Sequence, residues 1–202
     1  MRNRTSYFAG LLFAGGLGLV VAVFVFATSN LCAAEKGKPM EPTSAKQKLV
    51  FINASKNRGG NTASLGKKAF AGRQFKTINL VDYRIDQVGQ QSKVDQYKNV
   101  IDEIAHADVI IIGTPVYWSD MSGYLKTFID RLSDVMDVKL DSDDAPLKGA
   151  KVFVIIQGTE PSDAIPGITT VIKHICERFF MSYEGLILNS SDAASANRKL
   201  FK

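Results

Sequence analysis

The sequence predicts a doubly wound α/β domain: a five-stranded parallel sheet in the order 2-1-3-4-5, with helices on both faces. Three observations carry this expectation. Short β-branched apolar runs alternate with amphipathic stretches of helical period along residues 48–188. Runs such as Val109, Ile110, Ile111 and Ile112 are apolar on both faces, as strands covered from two sides must be. The segments between strands are helical, and parallel neighbours need such long crossovers.

Residues 48–54 read as the first strand, 62–71 as a helix and 74–80 as the second strand. Residues 94–105 form the next helix, leading into a third strand at 109–112 that Gly113 and Pro115 stop. In the helix that follows, Gly123, Leu125, Phe128, Ile129 and Leu132 recur at helical spacing, while Lys126, Asp130 and Arg131 are expected to face water or cap neighbouring groups. Residues 150–157 give a fourth strand, 167–180 a helix and 183–188 a fifth strand. Asp192 would cap a short terminal helix reaching Phe201, and the brevity of the chain after Leu188 predicts that this last helix is incomplete.

Residues 1–34 stand apart from the domain. Arg2 and Arg4 precede an uncharged run over 7–27, and Cys32-Ala33-Ala34 offers the small residues that a signal peptidase needs. The run is also long enough to cross a bilayer as an uncleaved anchor, so a signal peptide and an amino-terminal membrane anchor both stand. Either reading exports the domain across, or anchors it to, the cytoplasmic membrane. Residues 35–47, with Pro39 and Pro42, read as a flexible linker, which leaves 48–202 as the domain.

Of 202 residues, 46% are hydrophobic, and the roughly 160 left after the first segment suffice for a single core. The net charge is +5, but Lys and Arg are interspersed with acids rather than gathered in a stripe, so no nucleic-acid partner is indicated. Cys176 is the only cysteine beyond the linker and reads as a small buried apolar residue. His106 and His174 fit helix-surface or packing roles, and no His, Cys and acid grouping has the spacing of a metal site. The acids among residues 141–144 read as a solvated loop.

Two loops carry the chemistry. After the first strand comes Asn53-Ala54-Ser55-Lys56-Asn57-Arg58-Gly59-Gly60-Asn61-Thr62, running into a helix. Such a loop turns backbone N–H groups and hydroxyls toward an anion at a helix amino terminus, with Ser55, Asn57, Asn61 and Thr62 as short donors and Arg58 as a cation. An ordinary polar turn capped by Thr62 is the competing reading. A Walker-type loop fails, since Asn61 stands in place of its first glycine and Lys68 in place of its hydroxyl residue. After the third strand, Thr114-Pro115-Val116-Tyr117-Trp118-Ser119 hangs two aromatic rings off a strand's carboxyl end, where open α/β sheets bind ligands. A simple hydrophobic plug is the alternative there. In the expected strand order the two loops face one crevice, one end suited to phosphate and the other to a flat ring.

Residues 55–62, with Gly113-Thr114-Pro115-Val116-Tyr117-Trp118 and Ser122-Gly123-Tyr124-Leu125-Lys126-Thr127-Phe128-Ile129-Asp130-Arg131, resemble the flavodoxin-like NAD(P)H-dependent FMN reductases, over about residues 48–188. By that resemblance Ser55, Asn57, Asn61 and Thr62, with Arg58 as an added cation, would hold the FMN phosphate, and Pro115, Val116, Tyr117, Trp118 and Ser119 the ring system. Gly158-Thr159-Glu160 would be a third loop beside the ring. The resemblance further implies hydride transfer from NAD(P)H through FMN to a quinone, flavin or similar small-molecule acceptor, no catalytic side chain, and a homodimer that completes the pocket. Two other classes are weighed against it. A membrane-tethered flavodoxin-type carrier would ordinarily be acidic, and a flavin-free envelope protein retaining the fold would not need Tyr117 and Trp118.

Overall fold

The computed structural model describes residues 46–136, 140 and 142–201, all within the second of the two units into which the chain divides, Ser44–Lys202. The readings of residues 1–34, of all but the last two residues of the linker, and of Asp141 lie outside the described residues.

A parallel sheet forms from β1 (Leu49–Asn53), β2 (Lys76–Asn79), β3 (Val109–Tyr117), β5 (Lys151–Gln157) and β6 (Ser182–Ile187), in the order β2-β1-β3-β5-β6. A two-residue strand, β4 (Asp120–Met121), folds back antiparallel on β3. Without β4 the order is the expected 2-1-3-4-5, and the fold is flavodoxin-like. Side-chain alternation sorts the helices between the faces. Leu49 and Phe51 of β1 point into a cluster with Ala63, Leu65, Ala69, Ala193 and Ala196, from α1 (Asn61–Ala69) and α5 (Ser190–Leu200). Val50 and Ile52 point into the other cluster, with α2 (Tyr97–Ile104), α3 (Gly123–Asp130) and α4 (Ala164–Arg178). Each large apolar side chain so buried contributes about 1.5–3 kcal/mol.

Several expectations are corrected. Gly113 and Pro115 do not stop β3, which runs on to Tyr117. Since β1 ends opposite Gly113, Thr114 and Pro115 pair with β5 alone before β4 takes up Val116 and Tyr117, and an edge tolerates a residue without an N–H. Arg131 does not face water: its side chain is 4% exposed, paired with Asp95 at 2.7 Å and Asp134 at 2.5 Å. It donates to the Asp86 carbonyl at 2.8 Å, and its guanidinium lies 4.5 Å from the Tyr97 ring centroid. A group with five donors can be buried only where such partners converge. α4 begins at Ala164 rather than Gly167 and admits Pro166 in its first turn, where an N–H has no intrahelical acceptor. Asn189, not Asp192, caps α5, its Oδ1 accepting from the amides of Ser191 and Asp192 at 2.8 and 3.0 Å. Asp192 instead accepts from the Leu188 amide at 2.9 Å. α5 runs for 11 residues and packs on α1. Cys176 is buried as expected, and burial pushes its thiol up to about 11, a value that suits an inert side chain.

Candidate functional site

Asn53 closes β1 with a fully buried polar side chain, and that side chain organises the first loop. Its Oδ1 accepts from the Ser55 amide at 3.2 Å, and its Nδ2 donates to Asn79 Oδ1 at 3.0 Å and to the Asn57 carbonyl at 3.4 Å. Ser55 Oγ accepts from the Asn57 amide at 3.1 Å, and Asn57 Oδ1 from the Gly59 amide at 3.0 Å. Short polar side chains thus fold the loop by bonding their own backbone.

This loop delivers Gly60, in extended conformation, to the N-cap of α1, so no side chain caps the helix. Thr62 is therefore not a cap but a buried residue of the first turn. The first turn holds no acid, while Lys67 and Lys68 stand in the last. Its amides are left open at the positive end of the helix dipole. A Cβ at Gly60 would lie 3.2 Å from Asn57 Nδ2.

The second loop is a hairpin. Tyr117 pairs with Asp120, and the two residues between them, Trp118 and Ser119, have φ of 52° and 59°. Two consecutive positive φ values make this a type I′ turn built without glycine, at a cost of roughly 1–2 kcal/mol per residue. Its tip presents Trp118, 99% exposed, beside a half-exposed Tyr117. Ser119 Oγ hydrogen-bonds the carboxylate of Asp163, which stands at the N-cap of α4 without capping it. The third loop meets the same strand, since a Cβ added at Gly158 would be 3.1 Å from Val116 Cβ. Thr159 and Glu160 are exposed.

The loops share one end of the sheet and are tied together. The Ala54 amide donates to the Gly113 carbonyl at 2.8 Å. Ser122, buried at the N-cap of α3, donates from Oγ to the Ala54 carbonyl at 2.8 Å and accepts from the Leu125 amide at 3.3 Å. Its own amide donates to Thr114 Oγ1 at 3.0 Å. At Gly113 a Cβ would meet Thr62 Cγ2 at 2.6 Å, so the first turn of α1 rests directly on β3.

Residues 47–165 match the family model for NADPH-dependent FMN reductase. The chain belongs to that family. The Bacillus subtilis (strain 168) protein YwqN, named as an NAD(P)H-dependent FMN-containing oxidoreductase, is 30% identical over 156 residues, or 72% of this chain and 86% of that one. An FMN-dependent NADH:quinone oxidoreductase of Burkholderia thailandensis is 31% identical over 118 residues, covering 53% of this chain and 60% of its own length. Among solved structures, the Trp repressor binding protein from Bacillus subtilis superposes with a TM-score of 0.57 at 26% identity, covering 77% of this chain and 99% of that one. A further relative, an iron-sulfur flavoprotein of Archaeoglobus fulgidus, is 32% identical over 96 residues, 42% of this chain and 48% of its own length. A four-thiolate cluster cannot be carried over to this FMN reductase family member, whose only cysteines are Cys32 and Cys176.

Within this member of the FMN reductase family, the structure brings Ser55, Asn57, Asn61 and Thr62 to the open end of α1, and Pro115, Val116, Tyr117, Trp118 and Ser119 to the neighbouring hairpin. Arg58 is engaged by an acid that follows β2. Its guanidinium is held by Asp82, with Nε 2.8 Å from Oδ1, and the carboxyl of Asp82 is lowered chiefly by that hydrogen bond. Beyond Asp82 the chain forms the outer wall of a groove of about 460 Å³ between residues 80–87 and the start of α3, reaching Tyr117. Sequence reasoning missed Asn53, Ser122 and Asp163. Asn53 carried a usable signal, a polar residue ending an apolar strand; the other two act through partners 68 and 44 residues away.

Proposed function

We propose that this chain is an FMN-dependent oxidoreductase that passes electrons from NAD(P)H, or another donor, through bound FMN to a quinone, flavin or similar acceptor. One observation carries the reading: an uncapped helix amino terminus lies beside a strained aromatic hairpin on the adjacent strand, and Ser122 bonds the two together. The donor set fits the group. Open first-turn amides, with Ser55, Asn57, Asn61 and Thr62, suit a phosphate, and Arg58 would have to leave Asp82 to join them. Pro115, Val116, Tyr117, Trp118 and Ser119 offer a shelf for the ring, with Gly158, Thr159 and Glu160 at its side.

FMN, when bound, supplies the hydride chemistry. The work of the chain is positional: the Ser122 bonds fix shelf and phosphate seat at one spacing, and the Ser119–Asp163 bond fixes the hairpin against the third loop. The exposure of Trp118 supports a homodimer in which a second copy covers the shelf, and sedimentation velocity tests it.

The test of the main reading is the visible spectrum of the purified full chain before and after anaerobic NADPH. Bound flavin that bleaches is the expected result. Bound flavin that stays oxidised assigns another donor, and a chain without flavin overturns the proposal. Residues 1–34, read as an export signal or anchor, would place the domain outside the cytoplasmic membrane, where a quinol or flavin relay would replace NAD(P)H. Protease accessibility in intact cells decides this.

A further inference from the structure

Because the strands of this sheet all point one way, every segment that leads into a strand gathers at one end of it. There Lys46 and Lys48 lead into β1, Arg73 precedes β2 and Lys151 opens β5, while Arg178 and Arg198 arrive in the last turns of α4 and α5. All six are exposed, and among the described residues none has an ion pair. The exposed acids without an ion pair at this end are, among the described residues, Asp108, Asp144 and Glu177, half as many. At the opposite end Asp120, Glu160 and Asp163, all exposed and without ion pairs, flank the hairpin and the third loop. Cations dispersed along the sequence are thus collected by the fold at the end away from the proposed flavin seat.

One apolar ring stands among them. Phe180, between α4 and β6, is 52% exposed and held at φ 53°, a left-handed conformation that favours glycine. Its carbonyl accepts from the Gly149 amide at 2.8 Å, and the following amide, of Met181, donates to the Cys176 carbonyl at 2.8 Å, so the backbone that carries the ring is fixed. Arg73 and Arg198 share a shallow depression of about 410 Å³ with Gly72 and Asn197. The Arg73 guanidinium lies 4.7 Å from the Phe201 ring centroid, and that of Arg198 donates to Ser195 Oγ at 2.8 Å. A phosphodiester headgroup offers the charged oxygens that both guanidiniums lack. Cations around an exposed aromatic ring are the composition with which a protein meets an anionic membrane surface.

The rest of the chain joins the domain at this end. Lys46, three residues before β1, bonds through Nζ to Gln74 Oε1 beside Arg73. Residues 28–45 can span at most about 60 Å, so the uncharged run over 7–27, seated in a bilayer, would keep this end near the lipid.

We infer that the strand-entry end of the domain, with Arg73, Arg198 and Phe180 at its surface, docks on a membrane of anionic phospholipid. The opposite end then faces away from the membrane. β3 alone, nine residues long, sets the two ends roughly 25 Å apart, more than two screening lengths at physiological salt. The charge and the ring are in place whether or not the first segment is retained, and the inference stands apart from the flavin function.

The test is acetylation of the full chain by a water-soluble amine reagent, read lysine by lysine by mass spectrometry. The chain is held with an excess of lipid nanodiscs, either of phosphatidylcholine or of an equimolar mixture with phosphatidylglycerol. Lys46, Lys48 and Lys151 are expected to react about threefold or more slowly on the anionic discs than on the neutral ones, a difference that high salt removes. Lys56, at the opposite end, reacts equally on both. The double variant Arg73→Glu, Arg198→Glu, at two exposed positions, brings the three lysines back to their neutral-disc rates. Phe180→Gly, which relieves the left-handed backbone and so spares the fold, also lessens the protection. Equal rates on both discs, protection that survives either variant, or equal protection of Lys56 overturns the inference. Stronger protection by a DNA duplex at the same salt assigns the surface to nucleic acid and overturns it as well.

Discussion

Gly113 has no room for a side chain. Besides the contact with Thr62, an added Cβ would sit 2.9 Å from Phe51 Cε2, and both neighbours are buried. Gly113→Ala is expected to destabilise by about 1–3 kcal/mol and to displace the first turn of α1 from β3. Thermal denaturation reads the first effect, and a raised FMN dissociation constant the second. Arg131→Gln should be more severe. Removing one member of a buried ion pair costs about 3–5 kcal/mol because the other charge is left uncompensated, and Asp95 has a side chain only 10% exposed. Urea unfolding checks it, and Arg131→Lys should recover only part, lacking the fork that reaches both acids. At this scale the sequence was legible for short polar side chains that fold their own loop, Ser55 and Asn57, which accept from nearby amides. It was opaque for Arg131 and Ser122, whose burial depends on groups brought in by other elements.

The β3–β4 hairpin and the segment from Asp82 to Asp95 are the elements whose behaviour the bonds most directly predict. With both turn residues in a left-handed conformation, the tip depends on the Ser119–Asp163 bond for its placement. Asp163→Ala should lower the fluorescence anisotropy of Trp118, the sole tryptophan, and weaken FMN several-fold without changing the far-ultraviolet spectrum. Unchanged anisotropy would show the hairpin to be rigid unaided. In the segment after β2, Asp86 is lowered to about 2, first by hydrogen bonds from Ser92 and then by Arg84. A lowered carboxyl contributes stability that is present above its unfolded value near 4 and is lost as pH falls through about 2. Asp86→Asn should therefore flatten the acid limb of the stability profile between those limits. Strand and helix order was readable because period and length separate the two. The extension of β3 through Pro115 was not, since it depends on where the neighbouring strand happens to end.

For the molecule as a whole, α1 and α5 are, among the described residues, the helices that cover one face of the sheet, and Phe153, Ile155 and Ile187 lie beneath them. A chain ending at Leu188 should lose cooperative thermal unfolding and bind a hydrophobic dye, because that face would be half bare. The overall topology was legible from alternation of strand and helix. The packing of α5 on the sheet was not, because its buried face consists of Ala193 and Ala196, too small to register as a hydrophobic stripe.

Asn197 of α5 donates from Nδ2 to the carbonyls of Ala69 and Ala71, at 2.9 and 3.1 Å, finishing the carboxyl end of α1. Among the described residues, the first helix of the chain is thus closed at its carboxyl end by the last. Cutting that tie loosens α1 at the end away from the phosphate seat, so Asn197→Ala should lower the melting temperature while leaving the FMN dissociation constant nearly unchanged.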